Sequence, residues 1–395
     1  MLWKDYRIQV LNPTPQKITT VARTELQLLY SHKHFILVDE QTGKEVPYQL
    51  TAGPRGNEFN IPVTLEGYEK KSFAVREVDP PALTSSGLYA NYGAEKIRDF
   101  AFDLYKDPDW ICTPFEMVTP YFSIHYEIGK GITSIYDRKH DYELMNSQTE
   151  SAFQPIYEVT PVTTDAHEER RRMGRNRKNM HTLRDFGKLT NVTVNDCGDV
   201  LMRVTLTYEV KGSLSTELIL TAYRGTAKVD VDYRLHKESR IEPENVYLAL
   251  PFAQSSSTLY ADKAGCILRP RIDQLPGACV DFYELQNAVA WVKEDHTVMV
   301  ELPDAPMIAM GGLEPHAIRL MGDPLCKNTD PVYAWVMNNY WETNFKADLG
   351  GFHQYHYALR IVDSTDVKEC FSIAAADNTE LLAFTSFDVP FEKKA

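Results

Sequence analysis

Two stretches of this chain carry side chains suited to gripping hydroxyl groups. In the first, Asp273-Gln274-Leu275-Pro276-Gly277-Ala278-Cys279-Val280-Asp281-Phe282-Tyr283, a polar pair precedes a Pro-Gly turn and an aromatic strand. The second runs from Trp335 to Asp348 and contains Asn338, Asn339, Tyr340, Trp341 and Asn344. Planar amides match pairs of hydroxyls with paired donors and acceptors, and Tyr or Trp faces cover the apolar C–H side of a pyranose. That chemistry is sugar recognition. Equally open is a structural corner in which the amides satisfy backbone groups and the rings fill core.

Other reactive patterns are weaker. His32 with His34 and His353 with His356 invite a metal reading, but residues three apart on a strand do not share a face, and the first pair lacks a third ligand nearby in sequence. They read as surface strand histidines. There is no GxSxG elbow, no P-loop and no GxGxxG, so a serine triad or a phosphate-cradling loop is unsupported. The carboxylates Asp273, Asp281, Glu284 and Glu301 could serve glycoside cleavage only at a defined separation, which spacing along the chain does not supply. The six cysteines form no CxxC pair and read as buried free thiols.

These residues need elements to hold them, and the chain predicts strands. The 22 prolines and 20 glycines cut it into short runs rich in Val, Ile, Thr, Tyr and Phe. The run 200–210, the run 215–223 and the turn Lys211-Gly212-Ser213 between them predict a hairpin. Residues 227–235 then alternate apolar and charged, so one face should be buried and the other wet. The expected class is all-β: a small N-terminal β-sandwich over 1–80, a loop-rich linker over 81–114, and a larger unit over 115–395 to which the tail 364–395 adds edge strands.

Charge narrows the partners. With 42 Lys+Arg against 55 Asp+Glu the formal charge is −13, which disfavours nucleic acid despite the basic run 168–178. No stretch approaches the roughly 18 apolar residues of a membrane span, and the charged start Met1 to Arg7 does not read as a signal peptide. A small or neutral ligand and a cytoplasmic location follow as expectations.

Several segments, in order, resemble glycoside hydrolase family 38, the α-mannosidases, in the β-rich part that follows their catalytic barrel. They are Val10 to Pro15, Gly131 to Asp137, Pro243 to Phe252, Asp273 to Gly277, Asn338 to Phe345 and Phe352 to Leu359. The resemblance implies that the larger unit is a galactose-mutarotase-like β-supersandwich. It also implies that the family's zinc and nucleophilic Asp lie in a barrel this chain lacks, so neither a metal nor a catalytic residue is assigned here. By the same resemblance, Asp273, Gln274, Asn338, Asn339, Tyr340, Trp341 and Asn344 would line the rim of a sugar site. The partners implied are a mannose-containing glycan, a catalytic barrel domain or subunit, and further copies of the chain. The alternative is an autonomous carbohydrate-binding module, and an anomeric epimerase is a third reading by fold analogy alone.

Overall fold

The computed structural model describes residues 6–26, 34–53, 56–78, 107–146, 150–161, 178–253, 256–315, 318–323, 330–339 and 346–387. Short antiparallel strands dominate, as the punctuation by Pro and Gly predicts, and one α-helix is present among the described residues.

The N-terminal strands form a small sandwich. One sheet runs in the order Leu382–Phe387, Tyr6–Leu11, Lys70–Val78, His34–Asp39, Glu45–Val46, and packs on a three-stranded sheet of Ile18–Leu26, Gly56–Leu65 and Gln49–Gly53. Alternate residues of these strands, among them Ile8, Val10, Leu37, Phe59, Ile61, Phe73 and Val75, close its core. The tail departs from expectation. Residues 364–395 were expected to edge the larger unit, yet Val367–Thr379 is a helix and Leu382–Phe387 pairs with Tyr6–Leu11 of the sandwich. The helix begins where the Asp366 side chain accepts from the Lys368 N–H, and it seats Cys370, Phe371 and Ala374 on Ala288, Ala290 and Met299.

The larger body is built on a nine-stranded antiparallel sheet. Its order is Lys188–Cys197, Leu201–Glu209, Ser213–Tyr223, Lys228–Lys237, Gly351–Val362, Thr297–Glu301, Ala288–Val292, Thr258–Lys263, Cys266–Leu268. One face of it packs on a six-stranded sheet (Leu183–Phe186, Pro155–Val159, Glu244–Ala249, Val332–Asn338, Met307–Met310, Phe282–Glu284) and a five-stranded one spanning 111–143. Residues 81–106 of the expected linker lie outside the described residues. Its last part is already structured, since Trp110 is buried in this core and Ile111–Cys112 pairs with Glu116–Val118.

The strand Lys228–Lys237 shows how pattern and packing divide the work. Val229, Val231, Tyr233 and Leu235 enter the core as alternation predicts. The opposite face was expected to be wet, and only half of it is. Lys228 and Asp230 are buried because the sandwich and the helix cover that end: Arg23 Nη2 reaches Asp230 Oδ2 at 3.0 Å, Lys228 contacts both Asp230 and Asp377, and Arg360 bridges Glu301 at 2.7 Å and Asp377 at 2.6 Å. Burial raises the Glu301 carboxyl. Burial also disfavours ionised Asp377, but Lys228 and Arg360 outweigh it and hold that carboxyl low.

No disulfide joins the described cysteines, and they are not uniformly buried. Cys112 and Cys370 are in the interior, Cys197 and Cys279 are half-buried, and Cys266 is exposed beside the turn at Gly265. Cys326 lies outside the described residues.

Candidate functional site

The four described residues of the predicted sugar rim fall at opposite ends of the six-stranded sheet. Asp273 and Gln274 sit in a loop tied through Arg271 to the carbonyls of Val280 and Met310. Met310 pairs with Val332, whereas Asn338 lies six residues further along that strand, about 20 Å away at strand rise. No single sugar ring spans that gap.

Locally, each of these side chains is engaged within the protein, three of them with backbone groups. Asp273 accepts from its own loop, from Arg269 N at 2.8 Å, Nε at 2.9 Å and Nη2 at 2.7 Å, and this guanidinium and amide hold its carboxyl down at about 2. Gln274 accepts from Arg271 N at 2.8 Å and from the Tyr283 hydroxyl at 2.6 Å, and donates to Cys279 O at 3.2 Å. Asn338 donates to Asn245 Oδ1 at 2.6 Å. Asn339, buried, accepts from Glu244 N at 2.9 Å and donates to Glu242 O and Ala347 O, both at 2.8 Å. Tyr340, Trp341 and Asn344 lie outside the described residues.

Asn339 belongs to a structural corner of the kind left open from sequence, and the buried charges beside it are what sequence reading did not single out. Lys237 Nζ meets Glu244 Oε2 at 2.7 Å, and the Tyr157 hydroxyl donates to the same oxygen at 2.6 Å. Next to it, Glu158 is fully buried between Lys178 Nζ at 2.7 Å and Arg184 Nε at 2.8 Å. Buried charges must be paired, so these groups pin the strand ends against one another. The signal was a pair of acids, Glu158 and Glu244, inside otherwise apolar strands.

Around this corner large apolar side chains reach the surface beside the ion pair of Arg240 and Glu238. Val159 pairs with both Leu183 and Glu244, and Ser213 pairs with Lys237. Met180, Leu183, Leu214 and Ile241, on or next to these strand ends in sequence, are 90%, 62%, 67% and 72% exposed.

A third cluster has the residue types of a metal centre. Asp137, His140 and His296 bring ligand atoms within 4.8 Å of one another. The imidazoles, however, stack at 4.0 Å with 14° between planes, so their lone pairs lie in nearly parallel planes that do not converge on one ion. Each ring nitrogen also has a partner: Asp137 and Asp363 on His140, Asp295 and the Tyr142 hydroxyl on His296. Burial, helped by His140, lowers the His296 pKa against the pull of Asp295. The arrangement fits a stacked, hydrogen-bonded pair and does not fit a chelate. Of the histidines singled out from sequence, His353 bonds Leu349 O at 2.9 Å and His356 meets Asp232 at 3.1 Å on the other face, while His32 lies outside the described residues.

No family model matches the sequence, and no curated protein matches it. Solved structures do. An α-mannosidase from Enterococcus faecalis V583 aligns over 98% of this chain and 46% of its own, with a TM-score of 0.63 and 9% identity. A protein in glycosyl hydrolase family 38 from Enterococcus faecalis aligns over 97% of this chain and 47% of its own, with a TM-score of 0.59 and 10% identity. At such identities the likeness is one of fold. This chain shares the all-β fold found in family 38 α-mannosidase structures and spans about half their length. A galactose mutarotase related enzyme from Lactobacillus acidophilus aligns over 64% of this chain with a TM-score of 0.34, too remote for structural argument.

Proposed function

We propose that this chain is the C-terminal β portion of a family 38 α-mannosidase-like glycoside hydrolase, that it packs on a catalytic barrel, and that it helps form the rim of the sugar site. The observation that carries the reading is the match of 98% of this chain to less than half of an α-mannosidase. A retaining glycosidase needs two carboxyl groups about 5 Å apart, and in this family a zinc ion as well. On this reading the missing half supplies them, and the chain is inactive alone.

The exposed apolar side chains Met180, Leu183, Leu214 and Ile241 are the surface assigned to that partner, since large exposed apolar side chains mark protein contacts when they lie together. The rim role of Asp273, Gln274, Asn338, Asn339, Tyr340, Trp341 and Asn344 belongs to the same reading. With Asp273 and Asn338 so far apart, it takes the form of two separate contact zones. Two measurements test the proposal. Purified chain with added zinc should not hydrolyse an aryl α-mannoside, and turnover abolished by Asp273→Ala or Trp341→Ala overturns the view that the catalytic groups lie elsewhere. Sedimentation should show concentration-dependent self-association that Leu183→Glu with Ile241→Glu removes, whereas a monomer at all concentrations argues against a partner surface.

A further inference from the structure

Among the described residues, the outer face of the nine-stranded sheet is covered at one end only. The sandwich and helix close over Asp230, Arg203 and Glu301, with Glu58 reaching Arg203 at 4.0 Å, and beyond that wall the face is open. Strand register sets two rows side by side there. Phe352, His236 and Ser215 form one row, and Gln354, Arg234, Glu217 and Thr207 form the next. Four strands span about 14 Å across and the rows stand about 7 Å apart, the footprint of roughly a trisaccharide.

A merely solvated face needs polar residues and no more. This one carries Phe352, 81% exposed, lying on the His236 ring at 3.9 Å with 22° between planes. The stack fixes the Phe352 orientation before any ligand arrives, which lowers the ordering cost of binding. In the adjacent row Arg234 Nε donates to Gln354 Oε1 at 3.1 Å. Among the described residues the terminal nitrogens of Arg234 and the carboxylate of Glu217 make no hydrogen bond. Donor fork, acceptor pair and amide in a line beside an apolar ring match the alternating hydroxyls and C–H face of a sugar. Glu217 and Asp232 on the face, with a net charge of −13, disfavour polyanions.

We propose that this open half of the sheet, centred on Phe352, His236, Arg234, Gln354 and Glu217, is a binding face for a neutral glycan chain. It requires no catalytic partner and stands apart from the mannosidase reading, so either can fail without the other. Affinity electrophoresis of the full chain through gels containing yeast mannan tests it. Mannan should retard the chain, and Phe352→Ala and Arg234→Ala should each weaken retardation about tenfold, the scale expected when an aromatic face or a charged donor leaves a contact. Both side chains are exposed, so the melting temperatures of the variants should match the parent. Absence of retardation by mannan, galactomannan and laminarin overturns the proposal, as does undiminished retardation of the double variant. Equal retardation by dextran sulfate overturns the neutral class, and loss of self-association in Phe352→Ala without any glycan binding assigns the face to protein contact instead.

Discussion

Replacing Asn339 by alanine separates the two roles its amide was given. In the structure that amide accepts from the Glu244 N–H and donates to the carbonyls of Glu242 and Ala347. Glu244 is buried at 2% exposure, so Asn339→Ala strands its N–H away from water at a cost of about 1–3 kcal/mol. Glu242 and Ala347 lie nearer the surface, and their carbonyls can be rehydrated, at a net loss of about 0.5–1.5 kcal/mol for each bond. Allowing for that recovery, the corner should lose about 2–4 kcal/mol. For a cooperative unit of this size, at about 2 °C per kcal/mol, that corresponds to a fall in Tm of roughly 4–8 °C. Asn339→Asp keeps the acceptor but sets a carboxylate against two carbonyls, so it should also destabilise. Calorimetry of parent, Asn339→Ala and Asp273→Ala gives the comparison, with Asp273→Ala expected to melt close to the parent because its pairing with Arg269 is exposed. If Asn339→Ala keeps the parental Tm and loses glycan binding, the amide is a contact group and the corner argument fails.

Gly212 has φ +74°, and a Cβ there would stand 2.4 Å from the Tyr157 ring, so Gly212→Ala should cost about 2–4 kcal/mol in urea unfolding. Gly225, with open space around its position, should tolerate alanine. Because the Glu301 carboxyl is raised in the folded state, its contribution is full below the unfolded carboxylate pKa and is lost as pH rises through the folded value. Stability should therefore decline from about pH 5 toward neutrality in the parent and decline less in Glu301→Gln; equal slopes would refute the assignment. A chelate at Asp137, His140 and His296 saturated with zinc at 100 times its Kd would add about 2.7 kcal/mol of stability. The stacked rings predict no such rise on adding zinc, and a clear increase in Tm would show that the rings swing apart to coordinate.

Much of the fold was legible because strand structure is a local signal. Alternation in 227–235 and the turn at Gly212 need only neighbours in sequence, and the structure carries both. Site chemistry was less legible. Amides next to aromatics and prolines serve sugar contacts and backbone corners alike, and only the hydrogen-bond partners of Gln274 and Asn339 show their local engagement. Phe352 was not legible as a contact residue, since an aromatic in a strand is ordinary until its outward face is known.

The sequence by itself determined the all-β class, the charge that disfavours nucleic acid, and the hairpin of the central sheet, because period-two patterning and net charge are properties of composition and order. Tertiary structure alone decided that the tail strand Leu382–Phe387 returns to the first sheet, that Lys228 and Asp230 are buried on a face patterned for water, and that His140 stacks on His296. Each of these joins residues more than a hundred positions apart. Such encounters are set by how whole sheets cover one another, and a short window of sequence holds no record of them.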